Sequence, residues 1–163
     1  MIINFLIIIL CIVADQLTKL LALDKLTAIA TYPVIENIFH FTYVENRGAA
    51  FGMLSEHRWV FMLLSVVGIA AILVYLIVTK PESWWTRIAL CFIVGGGVGN
   101  MIDRIARGFV VDFIDCRFID FYVFNVADSF VCVGCAMFVI AVILEEIRES
   151  KQKKDNVSEE KNA

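Results

Sequence analysis

The stretch WVFMLLSVVGIAAILVYLIV, residues 59–78, carries no charge over its whole length and is bracketed by Arg58 and Lys80. Its length matches the roughly 20 residues a helix needs to cross bilayer hydrocarbon. The same pattern recurs on either side of it. Phe121 to Leu144 holds a single charge, Asp128. Ile88 to Ile102 is uncharged and is extended backward by Trp84, Trp85 and Arg87, the aromatic belt and snorkelling cation of an interface. Met1 to Ala14 is uncharged and continues through Asp15 and Lys19 to Leu23, which places a carboxylate and an ammonium one turn apart on one helix face. These segments predict a mainly α integral membrane protein with four transmembrane helices, at about residues 2–23, 59–78, 84–102 and 121–144.

Composition agrees. Sixty per cent of the 163 residues are apolar and the mean hydropathy is +0.80, beyond the roughly 45–50% that a soluble domain hides. Fourteen Lys and Arg against seventeen Asp and Glu give a net charge of −3, and no basic run has interleaved aromatics, so nucleic acid is not an expected partner. Of the five cysteines, Cys132 and Cys135 spell C-x-x-C, but within a continuous apolar helix and with no second Cys or His pair for zinc, so they read as packing residues. The first segment lacks a charged leader and an A-x-A-like cleavage site and reads as a retained helix.

Residues 24–58 are too polar to cross. Within them Phe39, Phe41 and Tyr43 alternate with His40, Thr42 and Val44, the period of a strand with one aromatic face. A small β element on the membrane surface is expected there, and His40, without a ligand-spaced partner, reads as structural. Residues 1–147 form the membrane domain, and the charged tail 148–163 is expected to fray into disorder.

Four crossings put both termini and Lys80 on one face and the 24–58 and 103–120 segments on the other. The unusual polar residues collect at the second face: Asp15 and Lys19 late in span one, Asn100 and Asp103 at the end of span three, Asp128 about 10 Å into span four. Seven Lys and Arg flank the terminal face and six the other, a lean toward cytoplasmic termini.

A carboxylate in hydrocarbon costs about 2.5–3.5 kcal/mol even on insertion scales, so Asp128 must face protein or water. In FNVADS, Asn125 lies one turn before it, placed to orient a carboxylate or a substrate carbonyl. Partner carboxylates are Asp15, Asp103, Asp112, Asp115 and Asp120. Lys19 and the adjacent Arg104 explain Asp15 and Asp103 as halves of ion pairs, whereas Asp112, in GFVVDFID, has no adjacent cation. Two carboxylates at close range share one proton, so one can activate water while the other protonates a carbonyl. Neither H-E-x-x-H, G-x-S-x-G nor a Walker-type loop is present. The GGGVG run, Gly95 to Gly99, reads as a close helix contact.

DQLTK (Asp15 to Lys19), NRGAAF (Asn46 to Phe51), GGGVGNMIDR (Gly95 to Arg104), GFVVDFID and FNVADS stand in the order and spacing of bacterial lipoprotein signal peptidase, or signal peptidase II, and the chain resembles that family over all but its tail. The resemblance implies a four-helix membrane aspartic endopeptidase with a small β cradle on the extracytoplasmic face of the bacterial inner membrane. It would remove signal peptides from diacylglyceryl-modified prolipoproteins, cutting before the lipidated cysteine, and would be blocked by globomycin. It implies Asp112 and Asp128 as the catalytic pair, with Asp15, Lys19, Asn46, Gly48, Asn100, Asp103, Arg104 and Asn125 as supporting positions, and no metal or cofactor. Tyr122 stands where relatives often have proline. With lipid as the anchor for the substrate, Phe39, Phe41, Tyr43 and the loop after Asn46 would act as a lid. The rival readings are a proton-coupled carrier, which the clustering of polar groups at one face disfavours, and a non-catalytic assembly factor.

Overall fold

A computed structural model of the chain describes residues 1–48, 58–119 and 121–162. Among the described residues there are four α-helices: α1 (Ile2–Leu26), α2 (Arg58–Val78), α3 (Trp84–Ala106) and α4 (Val126–Asn162). Strands β1 (Thr31–Ile35) and β2 (Phe39–Asn46) precede α2, and β3 (Val110–Cys116) follows α3. The strands form one antiparallel sheet in the order β1-β2-β3, at the end of the bundle where α1 and α3 finish and α4 starts.

Among the described residues three helices have the length and apolarity of a crossing, and α2 adds the shorter apolar stretch Met62–Val78. The bundle is inside out relative to a soluble one. The buried stripe of α1 is Asn4, Ile8, Cys11, Asp15, Lys19, Ala22 and Leu26, recurring every three or four residues, while Ile2, Phe5, Ile9, Leu10, Val13, Leu17, Leu20 and Leu21 are exposed. Apolar residues outward and ion pairs inward is the arrangement that lipid as solvent selects.

Helix α3 is the central element, and its glycines are why. A Cβ on Gly95 would stand 2.5 Å from Cys11 Cβ in α1, and one on Gly96 would collide with the Ala127 carbonyl in α4. The close-packing reading of GGGVG holds. Arg107 ends α3, and Gly108, at φ 81°, takes the left-handed conformation that glycine adopts without penalty, reversing the chain into β3.

Several expectations need revision. Helix α4 begins at Val126, so 121–125 is not helical; Phe124 instead forms a bridge with Ile114 of β3. Asp128 therefore lies in the first turn of α4 rather than about 10 Å deep. At its other end α4 continues through the expected tail to Asn162, a segment rich in the strong helix formers Glu, Lys and Gln. Cys132 and Cys135 are exposed on α4 rather than packed inside, while Cys11 and Cys91 are buried. Strand β3 was not foreseen. Its first four residues are all buried, so it shows no alternation. Ala49 to Phe51 of NRGAAF, the residues from there to 57, which include the rest of the expected lid, and Asp120 lie outside the described residues.

Candidate active site

The site is built at the α4 N-terminus. Asn125 is the residue before the helix. Its side-chain oxygen accepts from the Asp128 backbone N–H at 3.0 Å, and Asp128 Oδ2 accepts from the Asn125 backbone N–H at 3.1 Å. This reciprocal capping box satisfies two backbone donors and fixes the Asp128 side chain. The next free amide, of Ala127, donates to Asp15 Oδ1 of α1 at 2.9 Å.

Strand β3 brings Asp112 to the same place. Asn125 Nδ2 donates to Asp112 Oδ1 at 2.6 Å, and Asn46 Nδ2 of β2 donates to Asp112 Oδ2 at 2.9 Å. On the far side, Asn100 Nδ2 of α3 donates to Asp128 Oδ1 at 2.7 Å, and Asn125 Nδ2 also donates to Asn100 Oδ1 at 3.2 Å. The two carboxylates are thus held by one connected set of amides, with Asn125 bonded to both. Asp112 is 2% exposed, whereas Asp128 is half-buried. Burial, and next the charge of Asp128, push the Asp112 carboxyl up to about 6; the Asn46 and Asn125 amides pull the other way.

Beneath the amides lies an ionic layer. Lys19 Nζ is fully buried and sits 2.9 Å from Asp15 Oδ2, 3.2 Å from Asp103 Oδ2 and 2.9 Å from Asn100 Oδ1. Asp103 Oδ2 also accepts from the Val111 backbone N–H at 3.1 Å, tying α3 to β3 one residue before Asp112. Lys19 therefore links the ion pairs to the amide that holds Asp128.

The ten residues singled out from the sequence all converge here, with two changes of partner. Asp103 pairs with Lys19 and with Arg107, at 2.5 Å, not with Arg104. Adjacent helix residues diverge, while those four apart share a face. Arg104 instead donates to the Gly48 carbonyl at 3.2 Å, and Gly48 N–H donates to Asn46 Oδ1 at 3.1 Å, which orders the chain just after β2. Asp115 is not part of the cluster; it bonds Thr42 and Arg117 instead.

The sequence reading missed Gln16, whose amide donates to Asp15 Oδ2, the Gly99 carbonyl and Asp103 Oδ1 at 3.1–3.3 Å. It also missed Arg107; the i,i+4 spacing from Asp103 was the available signal. His40 is buried, with Nδ1 3.4 Å from the Thr31 hydroxyl, as a structural histidine.

Comparison with known proteins gives a consistent picture. Residues 7–144 match the family model described as Signal peptidase (SPase) II. The chain is 46% identical over 141 residues to the lipoprotein signal peptidase of Clostridioides difficile, covering 86% of this chain and 95% of that one. It is 47% identical over 131 residues to that of Caldanaerobacter subterraneus subsp. tengcongensis, covering 80% and 89%. A solved bacterial membrane enzyme structure, obtained by the in meso method, superposes with a TM-score of 0.80 at 30% identity, covering 88% of each chain. A second superposes with a TM-score of 0.76 at 31% identity, covering 85% and 91%.

Proposed function

The chain belongs to the signal peptidase II family of bacterial membrane peptidases, and on that premise we propose that Asp112 and Asp128 are its catalytic pair. Signal-peptide removal from prolipoproteins is the family's activity. The finer reading is an aspartic endopeptidase that cuts a diacylglyceryl-modified prolipoprotein just before the lipidated cysteine. The observation that carries it is the single asparagine bonded to both acids, Asn125.

With one proton shared by the pair, the ionised carboxylate takes a proton from water as its oxygen attacks the scissile carbonyl carbon. The protonated carboxyl gives its proton to the carbonyl oxygen. The tetrahedral diol then collapses: the C–N bond breaks, the amine leaves with a proton, and one proton again remains on the pair. The lift of Asp112 toward 6 supports this, because a carboxyl that keeps its proton near neutrality can act as the acid. Arg104, whose charge is felt by both acids while its guanidinium is held by the Gly48 and Asn100 carbonyls, and Asn100, bonded to Asp128, position what the pair acts on.

Depth supports the substrate. Asp128 in the first turn of α4 lies at the rim of the bundle, where a signal peptide in lipid and a diacylglyceryl chain at the interface bring the bond without a three-dimensional search. Termini in the cytoplasm and the sheet near the outer leaflet fit this route. A globomycin-type cyclic peptide would bind over the same two acids.

The test is cleavage of a diacylglyceryl-modified prolipoprotein by the purified enzyme in lipid nanodiscs. Asp112→Asn and Asp128→Asn should each lose at least ~10³-fold in rate while remaining folded. Full cleavage by either variant would remove the pair from the mechanism.

A further inference from the structure

Strand β2 carries one extra residue relative to β3. Phe41 pairs with Ile114, but the next pair is Val44 with Asp112, so Thr42 and Tyr43 together oppose Phe113. Opposed residues of an antiparallel pair point to one face, as do residues two apart along a strand. Val44 and Asn46 therefore share a face with Asp112. Had the Phe41 register simply continued, Tyr43 would stand opposite Asp112 and Asn46 would point to the reverse face. The bulge is what lets the Asn46 amide reach Asp112 at 2.9 Å.

The bulge is pinned along the β1 edge by a backbone bond and, on the face of the sheet away from the acids, by side chains. The Tyr43 backbone N–H donates to the Ala30 carbonyl at 2.8 Å. The Thr42 hydroxyl donates to Asp115 Oδ2 at 2.6 Å, lies 2.9 Å from the Thr31 hydroxyl, and shares Asp115 with Arg117 Nε at 3.0 Å. Burial works against the Asp115 charge, but the Thr42 and Arg117 hydrogen bonds outweigh it and hold the carboxyl below its ordinary value, so it remains an acceptor. Asp115 is three residues from Asp112 along β3 and faces the other way.

We propose that Thr42, Asp115 and Arg117 are positioning residues that lock the β2 bulge and thereby aim Asn46 at Asp112. This rests on the assignment of Asp112 to the catalytic pair. The groups that bear on Asp112 are Asp128 from α4, Lys19 from α1, Arg104 from α3, and the amides of Asn46 and Asn125. Of these, only Asn46 lies on the bulged strand. Because the Asn46 hydrogen bond favours ionised Asp112, loosening it should move the alkaline limb of the cleavage profile to higher pH.

The experiment is kcat/KM against pH for Thr42→Val, Asp115→Asn, Asn46→Ala and the double variant Thr42→Val/Asn46→Ala, in nanodiscs with folding checked by circular dichroism. Thr42→Val and Asp115→Asn should lower kcat/KM roughly three- to tenfold and shift the alkaline limb upward, in the direction of Asn46→Ala and by less. The double variant should match Asn46→Ala alone, and Thr42→Ser, which keeps the hydroxyl, should restore the wild-type limb. An unmoved limb in folded Thr42→Val, an unmoved limb in Asn46→Ala, or additive shifts in the double variant would each overturn the proposal. Should Thr42→Val not fold, the Asp115→Asn and Thr42→Ser profiles decide alone. Failure of the catalytic assignment would show separately, as cleavage by Asp112→Asn.

Discussion

Asn125 and Asp128 hold each other: each accepts the other's backbone N–H through its side-chain oxygen, at 3.0 and 3.1 Å. The bonds that start α4 are therefore the bonds that orient one of the two acids. Asn125→Ala should lower stability by about 1 kcal/mol through the lost cap and cleavage by roughly 10²-fold through the lost aim. Asn125→Ser restores a capping oxygen but no amide for Asp112, so thermal melting should recover while activity does not. Equal recovery of both would show that Asn125 acts only as a cap.

The pH profile should carry the signature of the buried acid. Asp112 is raised from 3.8 to about 6, first by burial and then by the charge of Asp128. The form that retains a proton on the pair thus persists to about pH 6 and is lost above it. kcat/KM should fall on the alkaline side with an apparent value belonging to the pair as a unit. A rate that continued to rise between pH 6 and 8 would contradict this assignment.

Lys19 is fully buried between Asp15 and Asp103. Removing its charge leaves the buried Asp15 carboxylate without a cation, Asp103 keeping Arg107, so Lys19→Met should cost about 3–5 kcal/mol, read as a lower melting temperature in detergent. Lys19→Met/Asp15→Asn should recover part of that loss. If the single variant melts as wild type, the ion cluster does not brace the bundle.

The glycine contacts make a paired prediction. A Cβ at Gly96 meets the Ala127 carbonyl, next to Asp128, whereas a Cβ at Gly68 of α2 has nothing within 4 Å. Gly96→Ala should displace the start of α4 and reduce cleavage by roughly 10²-fold; Gly68→Ala should leave it unchanged. Assays of the two variants side by side give the contrast.

The aromatic stripe divides at the bulge. Phe39 and Phe41 stack edge to face at 5.2 Å on the face that carries Asp112, while Tyr43 turns away and donates to Glu45 at 3.3 Å. Phe39→Ala/Phe41→Ala should raise KM, and Tyr43→Ala should lower the melting temperature with KM unchanged. A Tyr43→Ala effect on KM equal to that of the pair would restore a single three-residue stripe.

The membrane fold was legible because uncharged runs of helical length leave lipid as the only adequate solvent, and the polar cluster of the candidate site because Asp15, Lys19, Asn100 and Asp128 are expensive where they stand. The start of α4 was misplaced for a readable reason: hydropathy runs on smoothly from Phe121, and only the N-x-x-D spacing of Asn125 and Asp128 marks the true beginning. Strand β3 was hidden by burial of Val110 to Phe113, which erases alternation. The bulge at Thr42 and Tyr43 leaves no mark in the sequence, since the extra residue is defined only against its partner strand, more than sixty residues away.

The capping box at Asn125 and Asp128 has a pharmacological corollary. A compound whose grip depends on that pair touches atoms the protein needs to begin a helix and, on the proposed assignment, needs again to work. Exchange of either residue to evade such a compound would weaken the enzyme along with the inhibitor, so resistance is expected to arise outside the pair, in the sheet or in transport.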